Sequence, residues 1–169
     1  LVIPNINLVT PRGNERNLVR QDMVSDLERM FQDAKSAGIN LFLSNGFRDY
    51  NSQEYLHTED TGANGSQDSV YVASPGSSEH QLGLAIDITS ATMEYELEQS
   101  FENTKEGAWA LENAYKYGFI LRYINNKEQI TGYKYEPWHY RYIGNKDISK
   151  LCHDKNLTLE ELMKYVSGE

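Results

Sequence analysis

The chain contains a single cysteine, Cys152, and it is short of positive charge, with 16 Lys and Arg against 25 Asp and Glu in 169 residues. One cysteine excludes an internal disulfide and a cysteine-rich zinc site, while leaving either redox compartment open. A net charge of -9 repels a phosphate backbone and offers no basic stripe for counterion release, which argues against nucleic acid as a partner. No run approaches the roughly 18 apolar residues that cross a bilayer. The N-terminal LVIPNINLVT has neither a charged n-region nor an apolar h-region. Repeats, low-complexity tracts and charge blocks that would mark a second domain are also missing, so residues 1–169 are expected to form one domain. Since the first residue is Leu1 rather than Met, the sequence is compatible with a preceding signal, anchor or linker, and it does not decide the compartment.

What is present is an ordered, tyrosine-rich chain. Hydrophobic residues make up 39% and aromatics 11%, with 12 Tyr, a composition that suits a globular fold with a polar cleft and apolar walls. Between Leu18 and Ala37 the residues Val24, Leu27, Met30, Phe31 and Ala34 share one helical stripe, and Gly38 stops it. Ile39 to Ser44 reads as a buried strand that leaves Arg48 near its end. Asn51 with Glu54 has capping-box character and predicts a short helix over Gln53 to Leu56, followed by an exposed loop and lid over Thr58 to Ser69. Leu84 to Ile88 alternates, with Asp87 facing away from Ile86 and Ile88.

A second helix is expected over Glu106 to Tyr117, with short strands over Phe119 to Tyr123 and Gln129 to Thr131. Trp138 to Ile143 alternates again, with His139 and Arg141 opposite Trp138, Tyr140 and Tyr142. Thr158 and Glu161 form a capping box before a final helix expected to bury Leu159, Leu162, Met163 and Val166. The sum is a mixed α+β domain.

His80 and Asp87 lie close in sequence, and His139 sits on a later strand. Catalytic zinc typically takes three imidazole or carboxylate ligands and keeps a fourth position for water, which this trio would satisfy. Small residues at Gly83 and Ala85 allow the chain to turn from the loop bearing His80 into the strand bearing Asp87. Singly, each of these side chains reads as an ordinary surface or core residue. The joint pattern Ser78-x-His80-x-x-Gly83-x-Ala85-x-Asp87, followed by Glu136-x-x-His139, is what marks a site.

Plainer readings stand beside it. Arg48 suits a structural ion pair with Asp49 or Glu54, Glu136 a solvated turn before Pro137, Ser78 a turn cap and Gln53 an ordinary helix position. Trp138 and Tyr140 suit the core or a cleft wall, His57 and His153 the surface. Cys152, on a helical stripe with Ile148, suits a small buried hydrophobe.

On four segments the chain resembles the VanY-type D-alanyl-D-alanine carboxypeptidases, members of the LAS zinc peptidases. The segments are SNGFRDYNSQEYL (Ser44 to Leu56), ASPGSSEHQLGLAIDI (Ala73 to Ile88), ENAYKYGFILRY (Glu112 to Tyr123) and ITGYKYEPWHYRYIG (Ile130 to Gly144). The last 25 residues match more loosely and the first 18 hardly at all. The resemblance implies one zinc per chain on His80, Asp87 and His139, with Glu136 as general base. It also implies that Arg48 binds substrate and polarises its carbonyl, while Gln53 and Ser78 assist at a terminal carboxylate. Phe47 and Asp49 depart from the Tyr and Ser common beside that Arg, which bears on subsites rather than on the metal.

The fold so implied is α+β, a mainly antiparallel central sheet flanked by helices, as in LAS and hedgehog-like zinc proteins. The implied substrate is a peptidoglycan stem peptide or precursor ending in D-Ala-D-Ala, with no obligate protein partner and a monomeric chain. The same constellation serves L,D-carboxypeptidases and D,D-dipeptidases, some of them bifunctional, and a non-catalytic zinc-containing binding module is the alternative of another class. Relatives of the VanY type are commonly anchored outside the membrane and the bifunctional ones are cytoplasmic. The expectation is therefore an extracytoplasmic protein anchored through a segment preceding this chain.

Overall fold

A computed structural model describes residues 1–65 and 69–168. Four antiparallel strands form the sheet: β1 (Phe42–Asn45), β2 (Ala85–Thr89), β3 (Phe119–Leu121) and β4 (His139–Tyr142), in the order β1-β2-β4-β3. The helices are α1 (Val24–Ser36), α2 (Tyr50–Asn64), α3 (Lys105–Asn113), the single turn α4 (Glu128–Thr131), α5 (Lys146–Lys155) and α6 (Leu159–Ser167). The antiparallel sheet flanked by helices is the architecture expected.

Strand alternation divides the sheet into two chemical faces. Ile86, Ile88, Tyr140, Tyr142 and Phe119 point to one side, where Leu27, Met30, Phe31 and Ala34 of α1 and Ala110 of α3 close the main core. On the other side the register sets Asp87 opposite His139, and Ile120 opposite Arg141. That second face carries the polar site at one end. At the other, Ile120, Cys152 and Leu162 make a small cluster that seats α5 and α6. Cys152 is buried, as a small hydrophobe should be. His153 is exposed and His57 half-buried.

Several boundaries differ from those read in the sequence. The first helix begins with a 3-10 turn at Gln21–Met23 and is α-helical from Val24, still ending before Gly38, whose φ is +77°. The short helix runs instead from Tyr50 to Asn64, because Asp49, not Asn51, is its cap and accepts from Ser52 N at 2.7 Å. The loop expected from Thr58 is therefore helix as far as Asn64. Thr61 returns its hydroxyl to the His57 carbonyl at 2.7 Å, so this side chain is accommodated within the helix. Gly65, with φ +63°, ends it, and residues 66–68 of the expected lid lie outside the described residues.

Glu128–Thr131 is a helical turn rather than a strand, stopped by Gly132 at φ +81°. In α6 the capping box of Thr158 and Glu161 is present, but only Leu162 is buried. Met163 and Val166 are 64% and 70% exposed. The helix touches the domain along a narrow edge instead of a full apolar face, held also by ion pairs from Glu160 to Arg122 and from Glu161 to Lys127.

Candidate active site

The site is assembled where the end of β1 and the start of β4 flank the middle of β2. Asp87 is centred in β2, His139 opens β4, and His80 sits in a 3-10 turn, Glu79–Leu82, that precedes β2. Gly83 closes this turn at φ +66°, a conformation that costs a glycine little. The turn delivers His80 to the side of Asp87: His80 Nε2 is 3.3 Å from Asp87 Oδ2, and His139 Nδ1 is 3.4 Å from Asp87 Oδ1. One ligand atom from each of the three lies within 4.8 Å of the others, and all three residues are buried.

Hydrogen bonds orient these groups. The His80 Nδ1–H donates to the Gly46 carbonyl at 2.6 Å; since a carbonyl can only accept, Nε2 carries the lone pair that faces the site. Asn45 Nδ2 donates to Asp87 Oδ2 at 3.0 Å. Asp87 Oδ1 is buried without a hydrogen-bond partner among the described residues, a costly condition for a carboxylate unless a cation is to meet it. Two imidazoles and a carboxylate with a free buried oxygen fit a tetrahedral zinc site with one position open.

The electrostatics agree with that fit. Burial holds the His80 imidazole below its usual range, against the pull of Asp87. Burial opposes ionisation of Asp87, yet His80, His139 and Arg48 hold its carboxyl well below the ordinary carboxylate range. Burial likewise opposes protonation of His139, but Glu136, Glu79 and Asp87 outweigh it and push the imidazole up to about 10. Without a metal, the carboxylates draw a proton to the place where a divalent cation fits.

Glu136 lies 3.2 Å from His139 Nδ1 through Oε2. It is 4% exposed, so it is not a solvated turn residue. Burial raises its pKa despite the neighbouring His139, which suits a group that must take up and release a proton. Arg48 makes no ion pair with Asp49 or Glu54; its Nη2 is 3.8 Å from Asp87 Oδ2, and its Nη1 donates to Gln53 Oε1 at 2.8 Å. Gln53 is fully buried and its Nε2 donates to the Ala73 carbonyl at 2.6 Å. Ser78 makes no side-chain cap to the turn it precedes. Arg48, Gln53, Ser78 and Glu136 all line one cavity of about 260 Å³ with the three candidate ligands.

A model of the VanY family, described as D-alanyl-D-alanine carboxypeptidase, matches residues 16–145. The chain belongs to the VanY family. It is 42% identical over 167 residues to YodJ of Bacillus subtilis (strain 168), whose designation as a carboxypeptidase is provisional; the match covers 98% of this chain and 61% of YodJ. Among solved structures it is similar to the LdcB LD-carboxypeptidase, with a TM-score of 0.89 and 41% identity over 96% of this chain and 76% of that one. It is also similar to a variant of the vancomycin-resistance D,D-pentapeptidase VanY in complex with Zn(II), with a TM-score of 0.75 and 30% identity over 96% and 93%.

Within this VanY domain the sequence reading passed over Asn45, Glu79 and Tyr123. Asn45 and Glu79 touch the ligand set directly, and Tyr123 packs edge-on against the His139 ring with centroids 4.9 Å apart. Glu79 carried a usable signal, an acid beside the first histidine. Asn45 at the end of a strand and Tyr123 among 12 tyrosines carried none.

Proposed function

We propose that this chain is a zinc-dependent carboxypeptidase that removes one D-alanine from the free C-terminus of a peptidoglycan stem peptide or its precursor. The observation that carries the reading is the buried His80, Asp87 and His139 cluster with Glu136 Oε2 3.2 Å from His139 Nδ1, all opening on one cavity with Arg48. A zinc ion on those three residues supplies a Lewis acid for the scissile carbonyl and lowers the pKa of a water to about 7. Glu136 accepts a proton from the attacking water as the carbonyl carbon gains the water oxygen, and then passes that proton to the leaving amine as the C–N bond breaks. Arg48 brings positive charge toward the developing oxyanion or the substrate carboxylate. Gln53 spends one hydrogen bond on Arg48 and one on the backbone, so its first contribution is to hold the guanidinium in the cleft. Ser78, lining the same cavity, is suited to the terminal carboxylate.

The D,D reading, with D-Ala before the scissile bond, is supported by the family model and by the likeness to the D,D-pentapeptidase. A second reading, L,D cleavage after an L-centre such as L-Lys, is favoured by the TM-score of 0.89 to an LD-carboxypeptidase. Both release D-alanine from a wall peptide, which makes the outside of the membrane the expected place of action. Among the described residues no helix is long and apolar enough to cross a membrane.

The deciding experiment gives the protein peptides ending in D-Ala-D-Ala, D-Ala-D-Lac, D-Ala-D-Ser and L-Lys-D-Ala, their amidated forms, and the free D-Ala-D-Ala dipeptide, and identifies products. Zinc content is measured in parallel and is expected at about one per chain. Release of D-Ala from free but not amidated peptides supports the reading, and the preferred peptide assigns D,D or L,D. Equal cleavage of amidated peptides makes the protein an endopeptidase. A zinc-loaded protein that cleaves none of them is a binding module.

A further inference from the structure

Glu79 neighbours His80 in the chain but serves the other histidine. Its Oε1 accepts from Arg122 Nε at 2.8 Å and is ion-paired with Arg141 Nη1 at 2.9 Å. Its Oε2 is buried, has no hydrogen-bond partner among the described residues, and stands 3.8 Å from His139 Nε2, which is buried and unpartnered in the same way. The two leftover atoms therefore face each other. One belongs to a carboxylate, and the other is the ring nitrogen turned away from Asp87 and Glu136.

Arg122 is committed on both edges. Its Nε side holds Glu79, while Nη1 and Nη2 form a fork with Glu160 of α6 at 3.0 and 2.6 Å. Its guanidinium also lies over the Tyr123 ring, 4.9 Å from the centroid, and that ring packs edge-on against His139. Two paths thus run from Arg122 to His139, one through charge and one through packing.

We propose that Glu79 and Arg122 are positioning residues for His139, and that the docking of α6 through Glu160 sets the metal affinity of the site. The proposal rests on the metal-site reading given above. A carboxylate facing Nε2–H fixes the tautomer in which Nδ1 carries the lone pair, and strengthens that nitrogen as a donor. Two arginines on Oε1 keep Glu79 in one orientation and offset the cost of burying its charge. The fork to Glu160 keeps Arg122 from turning to take both oxygens of Glu79, a move that would draw Oε2 off the imidazole. An otherwise peripheral helix, with Met163 and Val166 in solvent, is in this way tied to a ligand it never touches.

The test is the zinc dissociation constant, measured near neutral pH on the whole chain by competition with a chromophoric chelator. Glu79→Gln is expected to weaken binding about 10- to 100-fold, and the remote Glu160→Gln about 3- to 10-fold. Because both act through one connection, the double variant is expected to bind no more weakly than Glu79→Gln alone. Lys127→Met releases Glu161 on the same helix without touching Arg122, and its affinity is expected to equal wild type. A wild-type protein that binds no zinc defeats the metal-site reading itself. If the wild type binds zinc and Glu160→Gln binds it equally well, the relay is wrong. It is also wrong if Lys127→Met loses as much as Glu160→Gln, or if the two Glu losses add in full. Should Glu79→Gln fail to fold, the comparison of Glu160→Gln with Lys127→Met decides.

Discussion

Asp87 and His139 are register partners on neighbouring antiparallel strands, and their side chains meet on the sheet face turned away from α1, with His139 Nδ1 3.4 Å from Asp87 Oδ1. The backbone ladder therefore fixes two of the three candidate ligands before any metal arrives. Only His80 depends on a turn, and that turn is tied to the strand end by the bond from His80 Nδ1 to the Gly46 carbonyl. A site held on sheet backbone costs little reorganisation when a cation enters it.

Replacing Glu136 by Gln keeps the shape of the side chain and removes the carboxylate that exchanges the proton. The three ligands are untouched, so zinc content is expected to stay at the wild-type level. The rate is expected to fall about 100- to 10,000-fold, toward the upper end because one group serves both attack and departure. The loss should appear in kcat with little change in KM. Steady-state kinetics with elemental analysis checks this; near wild-type turnover in a zinc-loaded variant assigns the base elsewhere.

How much of this was legible in the sequence depends on what each residue's neighbours are. Asp87 and His139 were placed on the correct sheet face because alternation with period 2 is local, and each is flanked by large apolar side chains that must turn inward. His80 and Glu136 stand out by motif spacing, whereas Arg48, Gln53 and Ser78 take their roles from the resemblance to the VanY type; all five line the cavity that Asp87 and His139 also line. The length of α2 escapes a sequence reading because its Ser, Thr, Asn and Gly content resembles a loop, while the Asp49 cap that starts it depends on geometry. The outward Met163 and Val166 were missed because helical periodicity finds an apolar stripe without saying how wide a surface awaits it. Arg122 joins residues 38 and 43 positions away, and such a link has no local signature.

Arg48 and Gln53 are expected to act as one unit. Arg48→Ala removes the cation from the cleft and is expected to lower kcat/KM roughly 100- to 1,000-fold. Gln53→Ala leaves Arg48 present but without the bond that orients it, and should cost less. A double-mutant cycle is expected to be strongly non-additive, the double variant falling close to Arg48→Ala alone. Fully additive losses would show that Gln53 acts on the substrate independently of Arg48.

Glu79 gives the fold a specific sensitivity to acid. Burial alone would raise its pKa, but His139, Arg122 and Arg141 bring it from an ordinary 4.5 down to about 2. A folded-state pKa below the unfolded one gives stability that is fully present above 4.5 and is lost as pH falls toward about 2. In metal-free protein, the unfolding free-energy gap between wild type and Glu79→Gln is expected to narrow by about 2 kcal/mol between pH about 5 and about 3. Urea titrations at several pH values measure it. A gap that stays constant across this range would mean that the folded and unfolded chains hold the Glu79 proton equally tightly, and that its partners do not depress its pKa.

Gly46 joins the fold to the site at its tightest point. A Cβ there would lie 2.3 Å from the Leu18 carbonyl oxygen and 3.2 Å from that of Arg16, both backbone atoms that cannot step aside alone. The Gly46 N–H donates to the Arg16 carbonyl at 2.5 Å, and its own carbonyl is the acceptor that sets the tautomer of His80. Gly46→Ala must therefore push β1's end away from the N-terminal segment, at a cost of roughly 1 to 3 kcal/mol for overpacking. The same displacement carries the acceptor off His80 Nδ1, so zinc affinity is expected to fall about 10-fold or more, as when a histidine ligand loses its outer partner. Gly107→Ala is the matched control, since a Cβ there would lie 2.0 Å from the Phe101 carbonyl oxygen and Gly107 does not line the site cavity. Thermal melts of both variants should show comparable destabilisation, with zinc affinity lost in Gly46→Ala and retained in the folded fraction of Gly107→Ala. Equal zinc affinity in the two would mean that the Gly46 carbonyl does not orient His80.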